Sequence, residues 1–149
     1  MRKAILLSMV VLAACSSRGE ENDGDDVDFD ATDWSTQLSS RAGTTVRGTA
    51  TSRSVGFEGG AGTSTASIDV VGAAAGARHP WHVHTGTCAT GGPIVGEADD
   101  YPVLEIGADG TDEATAAIEG GMSDEQRYHV NVHRSPSDLT VISCGDLTD

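Results

Sequence analysis

Short runs of alternating polar and apolar residues, separated by glycine, dominate the sequence from residue 34 to residue 149. Alternation with a period of two is typical of β-strands that bury one face, and several such runs between turns indicate an antiparallel sandwich or barrel. The predicted strands are Thr45–Arg53, Thr63–Val71, Trp81–Thr85, Tyr101–Ile106, Ala114–Ile118, Tyr128–His133 and Leu139–Cys144, with turns at Gly56–Gly62 and Ala108–Gly110. Met122–Arg127 is the one segment with a helical pattern. The sequence therefore predicts one all-β domain over residues 34–149.

The N-terminus has the parts of an export signal. Arg2 and Lys3 are basic, residues 4–13 form an almost uninterrupted apolar run, and Leu-Ala-Ala-Cys ends at Cys15. The run is shorter than the about 20 residues that span a bilayer, so it predicts a cleaved signal over residues 1–14. Leu-Ala-Ala-Cys resembles the lipobox of bacterial lipoproteins, which implies that Cys15 carries a lipid. We therefore expect an exported protein, anchored to the cell membrane or outer membrane; an ordinary secretory signal is the alternative.

Residues 15–33 are rich in aspartate and glutamate and nearly devoid of apolar side chains. Such a segment cannot bury enough surface to become ordered, so we predict a disordered acidic tether. A calcium site is the alternative, although the aspartate spacing does not match an EF-hand loop.

The chain is strongly acidic. Loss of Arg2 and Lys3 with the signal changes the formal net charge from −14 to about −16. This charge argues against nucleic-acid binding, which requires lysine and arginine to neutralise phosphates. It also repels anionic headgroups, so the lipid would have to hold the protein at a membrane.

Two cysteines, Cys88 and Cys144, lie within the predicted domain. In an exported protein we expect them to be oxidised to one another. Two free thiols are the alternative.

All five histidines lie in two strand-like segments. Residues two apart in a strand share a face, with Cα atoms about 6.5–7 Å apart, so His82 and His84 can converge on one metal ion. His129 and His133 share a face of the second segment. If the two strands are neighbours, three or four imidazoles surround one ion, and imidazole suits copper and zinc. A metal site is therefore predicted, with packed or solvent-facing histidines as the alternative.

The motifs around these histidines resemble the copper/zinc superoxide dismutase family over approximately Val46 to Leu147. The matching segments are Trp81–His84, Cys88–Pro93, Asp109–Gly110, Val132–Leu139 and Ser143–Gly145. The resemblance implies a Greek-key β-barrel, a disulfide between the two cysteines, copper as cofactor and superoxide as substrate. It also implies that His82, His84 and His133 are the copper ligands and so form the catalytic site.

The chain departs from that family at several positions. Ile94 stands where the family has a metal-bridging histidine, and Val141 replaces the arginine that guides the substrate. No histidine lies between His84 and His129, where the family has its zinc ligands, so zinc is not expected. The resemblance therefore implies a copper site without zinc, and slow dismutation at most.

Superoxide is an anion, and the net charge of the chain opposes its approach. Arg134 or Arg78, each close in sequence to a histidine, would have to attract it locally, although Arg134 is also explained as a solvated charge at a strand end. His79 and His129 are candidates for a fourth ligand or for hydrogen-bond partners of the ligands. A surface or structural role for either histidine is the simpler interpretation.

A second family also resembles this chain. Tyr128–His133, together with His-Val-His and Gly-Gly-Pro-Ile-Val upstream, is similar to the chordin-like (CHRD) domain, a β module without an established enzymatic role. Three functions therefore stay open: a copper-dependent dismutase, a copper-binding lipoprotein without catalysis, and a metal-free β module that binds a partner. The sequence does not predict the oligomeric state.

An acidic cluster formed by Glu97, Asp99 and Asp100 is a candidate carboxylate pair for acid–base chemistry. A solvated acidic face on a loop flanked by glycine and proline is the simpler explanation.

Overall fold

The computed structural model describes residues 29–57 and 62–149, and these residues form strands connected by turns and loops. The strands are β1 (Phe29–Ser40), β2 (Arg47–Phe57), β3 (Thr63–Val71), β4 (Arg78–His79), β5 (Trp81–Thr85), β6 (Leu104–Glu105), β7 (Asp112–Glu119), β8 (Tyr128–Ser135) and β9 (Asp138–Leu147). The helical structure in these residues is limited to one 3-10 turn at Ala98–Asp100. Within the same residues no helix has the length and apolar character to cross a membrane.

Seven strands form one curled antiparallel sheet in the order β5-β8-β9-β1-β2-β3-β7, and β4 pairs separately with β6. β1 joins the two halves, because Phe29–Leu38 pairs with β2 whereas Ser39 and Ser40 pair with β9. The connections from β3 to β5 and from β7 to β8 cross from one half to the other, as in Greek-key sandwiches. The predicted all-β antiparallel barrel or sandwich is confirmed.

The hydrophobic core lies between the two halves of the curled sheet. β3 alternates strictly along most of its length and buries Ala66, Ile68 and Val70 on one face. On the other half, Trp81 and Val83 of β5 are fully buried. The period-two pattern thus places one face of each half in the core and leaves the other face available for a site.

The sequence locates β3 and β5 at their observed bounds, but it places the start of the domain too late. β1 begins at Phe29, inside the segment predicted to be a disordered tether. Acidity does not prevent a strand here, since Asp33 lies on the exposed face and forms an ion pair of 2.7 Å with Arg53 on β2. Its neighbour Trp34 is buried, and the backbone of β1 is paired with β2 from Phe29 to Leu38.

Some predictions fall outside the described residues. These are the signal over residues 1–14, the lipidated Cys15, the tether from residue 15 to residue 28, and most of the turn at Gly56–Gly62.

The helical turn predicted at Met122–Arg127 is wrong, because this segment contains a hydrogen-bonded turn rather than a helix. The backbone N–H of Met122 donates to the hydroxyls of Ser54 and Ser64, 2.9 and 3.1 Å away, and its side chain is buried. These tertiary contacts direct the chain into the core instead of into a helical turn. The predicted strand Tyr101–Ile106 is also shorter than expected, since only β6 (Leu104–Glu105) pairs.

A disulfide joins Cys88, in the loop after β5, to Cys144 on β9, with the Cα atoms 6.0 Å apart. This is the predicted pairing. In the sheet β8 lies between β5 and β9. The disulfide therefore attaches the loop that follows β5 to β9, the strand on the far side of β8.

Removal of this disulfide should destabilise the domain. The bond closes a loop with a sequence separation of 56, and a loop of that length corresponds to roughly 4 kcal/mol on the chain-entropy model. We expect the double variant Cys88→Ser, Cys144→Ser to lose about this much free energy of unfolding in urea titrations. The oxidised parent protein is the control, and an unchanged midpoint would contradict the prediction.

Candidate metal centre

The histidines of β5 and β8 lie on one face of the sheet because the register of this pair sets apolar residues opposite apolar ones and polar residues opposite polar ones. Trp81 lies opposite Val132 and Val83 opposite Val130, and all four side chains are buried in the core. The alternate residues project from the other face of the sheet, since successive side chains of a strand point to opposite sides. On that face His84 lies directly opposite His129. The register shifts at His133, where β9 has an extra residue and bulges against β8.

Three histidines come together on this outer face. His82, His84 and His133 each offer one ring nitrogen, and the three nitrogens lie within 4.8 Å of one another. The ring centroid of His82 is 5.8 Å from that of His84 and 5.2 Å from that of His133. His82 is 8% exposed and His133 is 7% exposed, so this histidine triad is largely shielded from solvent. These are the three residues that the sequence predicts as metal ligands.

Backbone carbonyls orient two rings of the histidine triad. Nδ1 of His84 lies 2.9 Å from the carbonyl oxygen of Gly92, and Nδ1 of His133 lies 2.9 Å from that of Leu139. A carbonyl only accepts, so both Nδ1 atoms carry the proton and both Nε2 atoms have a free lone pair. This is the usual arrangement behind a metal-ligating imidazole.

Three buried histidine nitrogens have no hydrogen-bond partner among the described residues: Nδ1 of His129, Nδ1 of His82 and Nε2 of His84. The last two belong to the histidine triad. Buried polar atoms without partners are uncommon and costly in folded proteins. A metal ion bound by these lone pairs would satisfy both nitrogens, and the residues present therefore fit a metal ion.

The protonation behaviour also suits a metal site. Burial, together with the nearby rings of His133 and His84, lowers the pKa of His82 from 6.5 to about 4. Burial likewise lowers the pKa of His84. Both rings are therefore neutral at physiological pH, and only the neutral imidazole binds a metal ion.

His129 and His79 lie beside the histidine triad but outside the set of three converging nitrogens. The His129 ring stacks on that of His84, with centroids 5.2 Å apart and an interplanar angle of 23°. Nδ1 of His79 donates to the carbonyl oxygens of His133 and Arg134, at 3.0 and 2.9 Å. His79 thus holds the backbone of β8 next to the bulge of β9, which is a structural role rather than that of a metal ligand.

Apolar residues occupy two positions next to the histidine triad. Ile94 forms an isolated β-bridge with His84 and packs against the core. Val141 lies opposite His133 in the register of β8 and β9. The family that the sequence resembles has a histidine and an arginine at these two positions, so the structure has an aliphatic side chain next to each of two ligands.

The two arginines that the sequence offers for attracting an anion are both paired with acids. Arg134 contacts Asp138 at 3.0 Å, and Arg78 contacts Glu105 at 3.3 Å. Each pair is about half exposed or more. Neither arginine presents an uncompensated positive charge at the histidine triad.

Sequence analysis does not identify two elements of the site. One is the carbonyl of Gly92, which orients His84; a Cβ at this position would clash with the carbonyl oxygen of Thr85, so glycine is needed here. The Gly-Gly-Pro motif is the signal that could have identified it. The other is Tyr101, whose ring packs on His82 with centroids 5.2 Å apart.

The acidic cluster has a local structural role. Asp100 accepts a hydrogen bond of 2.9 Å from the backbone N–H of Glu97, and together they form a capping box around the short 3-10 turn. Glu97 and Asp99 are exposed. The solvated-face interpretation fits this arrangement.

No protein-family model and no curated protein matches this chain. The resemblance to the dismutase and chordin-like families therefore stays a prediction from sequence motifs.

Acidification should destabilise the metal-free protein. The pKa of His82 is about 4 in the folded state and 6.5 when unperturbed, so the unfolded chain binds more protons within this window. Stability present above about pH 6.5 is then lost as the pH falls toward 4. Urea midpoints at neutral and acidic pH measure this loss, and His82→Gln should reduce it. An NMR titration midpoint of His82 near its unperturbed value would contradict the prediction.

Proposed function

We propose that this protein is an exported, lipid-anchored domain that binds copper through His82, His84 and His133. The observation that carries the proposal is the convergence of three ring nitrogens within 4.8 Å in a largely buried site. Two of these rings have a nitrogen that is buried without a hydrogen-bond partner in the described part of the chain. A metal-free β module gains nothing from such nitrogens, which favours a metal-binding domain over the chordin-like alternative.

The donor set favours copper. The cluster contains three imidazoles and, among the described residues, no thiolate or carboxylate. Imidazole sites bind copper more tightly than the other divalent first-row metals, in the Irving–Williams order. Bound copper would supply one-electron redox chemistry at this position. The protein's own contribution is to hold three imidazoles in place and to limit the access of water.

The proposed location rests on the N-terminal sequence and on the disulfide. The bond between Cys88 and Cys144 suits an oxidising compartment outside the cytosol. Acylation of Cys15 would then hold a domain of strongly negative charge at a membrane whose headgroups repel it.

Superoxide dismutation is the second candidate activity, supported by the resemblance to copper/zinc superoxide dismutases. We propose that it is slow at best. The paired arginines provide no free positive charge to attract the anion, and the formal net charge of the whole chain is −14. Ile94, next to His84, has no side-chain group that can donate or accept a proton during turnover.

Loss of one ligand should abolish tight copper binding. We expect His84→Ala to lower copper affinity by more than about 100-fold, since even residues behind metal ligands cost 10–100-fold. Competition with a chromophoric chelator measures the affinity. The matched control is Asp69→Asn, Glu113→Gln, which removes two cross-strand carboxylates from the distant β3–β7 pair. Equal affinity in His84→Ala and the parent protein would refute the ligand assignment.

A rate measurement separates binding from catalysis. We expect copper-loaded protein to dismutate superoxide far below the diffusional range of about 10⁸–10⁹ M⁻¹s⁻¹. The same protein stripped of metal is the control. A copper-dependent rate that approaches the diffusional range would overturn the proposal of slow turnover, and a rate equal to the stripped control would leave copper binding as the function.

A further inference from the structure

His82 differs from the other two residues of the histidine triad in how its ring is held. His84 and His133 each donate a hydrogen bond from Nδ1 to a backbone carbonyl. The His82 ring has no such hydrogen bond among the described residues: its buried Nδ1 is the unpaired nitrogen that faces the site, and no carbonyl holds the rest of the ring. A ring without a hydrogen bond needs packing to fix its orientation, because side chains rotate among several rotamers.

The ring of Tyr101 provides this packing. It meets the ring of His82 edge to face, with centroids 5.2 Å apart and an interplanar angle of 81°. Tyr101 is 5% exposed. The ring of His133 also lies 5.2 Å from that of His82. The His82 imidazole thus packs against a phenol ring and against another imidazole of the triad.

Tyr101 is itself firmly held. Its hydroxyl donates to the carbonyl oxygen of Val95 at 2.7 Å, and burial raises its pKa, so the donating proton is retained. The Tyr101 ring also packs edge to face on Trp81, with centroids 5.2 Å apart. The indole N–H of Trp81 in turn donates to the carbonyl oxygen of Pro102 at 2.8 Å. The segment that carries Tyr101 is therefore attached to β5 by the packing of Tyr101 on Trp81 and by the hydrogen bond from Trp81 to Pro102.

The contacts place Tyr101 at the free edge of β5. Trp81 and His82 are successive residues of a strand, so their side chains project from opposite faces. One ring that touches both must lie beside the strand rather than above or below it. β5 is the terminal strand of the seven-stranded sheet, which leaves this edge open to such a ring.

We propose that Tyr101 is a positioning residue for the metal centre: its ring holds the imidazole of His82 in the ligand orientation before copper binds. This inference rests on the proposed copper-binding function. Tyr101 contributes no ligand atom, and it acts through His82 alone. Edge-to-face packing takes the place of the backbone carbonyl that orients the other two ligands.

A double-mutant cycle tests whether Tyr101 acts through His82. We expect Tyr101→Leu to lower copper affinity by about 10- to 100-fold, the range for residues that orient metal ligands. In the His82→Ala background the same substitution should have no further effect, because the residue it positions is gone. A purely structural role would give the same loss in both backgrounds, and that result would overturn the inference.

Tyr101→Phe is the matched control. It keeps the ring on His82 and removes only the hydroxyl that donates to Val95, so we expect its copper affinity to fall less than about 10-fold. A loss equal to that of Tyr101→Leu would show that the ring is not what positions His82. If Tyr101→Leu does not fold, Tyr101→Met, which also removes the ring and keeps an apolar side chain, takes its place in both backgrounds.

NMR of the metal-free protein separates this inference from the proposed function. The Tyr101 ring should change the NMR chemical shifts of the His82 ring protons through its ring current. This change should persist in Tyr101→Phe and vanish in Tyr101→Leu. If the parent protein binds no copper, the proposed function fails, whereas the chemical shifts of the His82 protons still show whether Tyr101 packs on His82. If the parent binds copper but the His82 protons are unshifted, the inference about Tyr101 fails alone.

Discussion

The antiparallel pairing of β5 with β8 is the interaction on which the site depends. Its register sets Trp81 against Val132 and Val83 against Val130, and all four are fully buried or nearly so. Since side chains alternate along a strand, this one register also places the intervening histidines on the outer face. A slip by one residue would exchange the two sets and move imidazoles into the core, at a large cost in free energy. Core packing and site geometry therefore have the same physical origin.

The outer face of this pair is covered by the loop from Gly86 to Val103. The loop adds backbone hydrogen bonds along the free edge of β5: Thr85 donates to Pro93 and Val95 donates to Val83. The disulfide ties its beginning to β9, and the indole of Trp81 ties its end. The carbonyl that orients His84 and the ring that packs on His82 both belong to this loop. Fold stability and ligand orientation are consequently coupled through one segment.

Much of this arrangement could be predicted from the sequence because it depends on local pattern. β3 and β5 alternate strongly, so the sequence predicts them at their observed bounds, and the spacing of His82 and His84 predicts that the two imidazoles share a face. The start of β1 was missed because acidic composition suggests disorder, whereas pairing with β2 and the Asp33–Arg53 contact stabilise a strand. Met122 was misassigned because hydroxyls distant in sequence bind its backbone. Tyr101 was missed for the same reason: nothing in its own sequence neighbourhood shows that it reaches β5.

The position of β1 between β2 and β9 also bears on the order of folding. Ser39 pairs with Cys144, so among the described residues the backbone pairing between the two halves of the sheet joins the beginning of the domain to its end. Contacts of such long sequence separation form late, because the entropy cost of closing a large loop comes before the contacts stabilise the chain. A chain that crosses a membrane as an unfolded thread would therefore be unable to join its halves until its last strand had emerged. For a chain exported in that way, the topology would postpone closure of the sheet until the last strand had crossed the membrane.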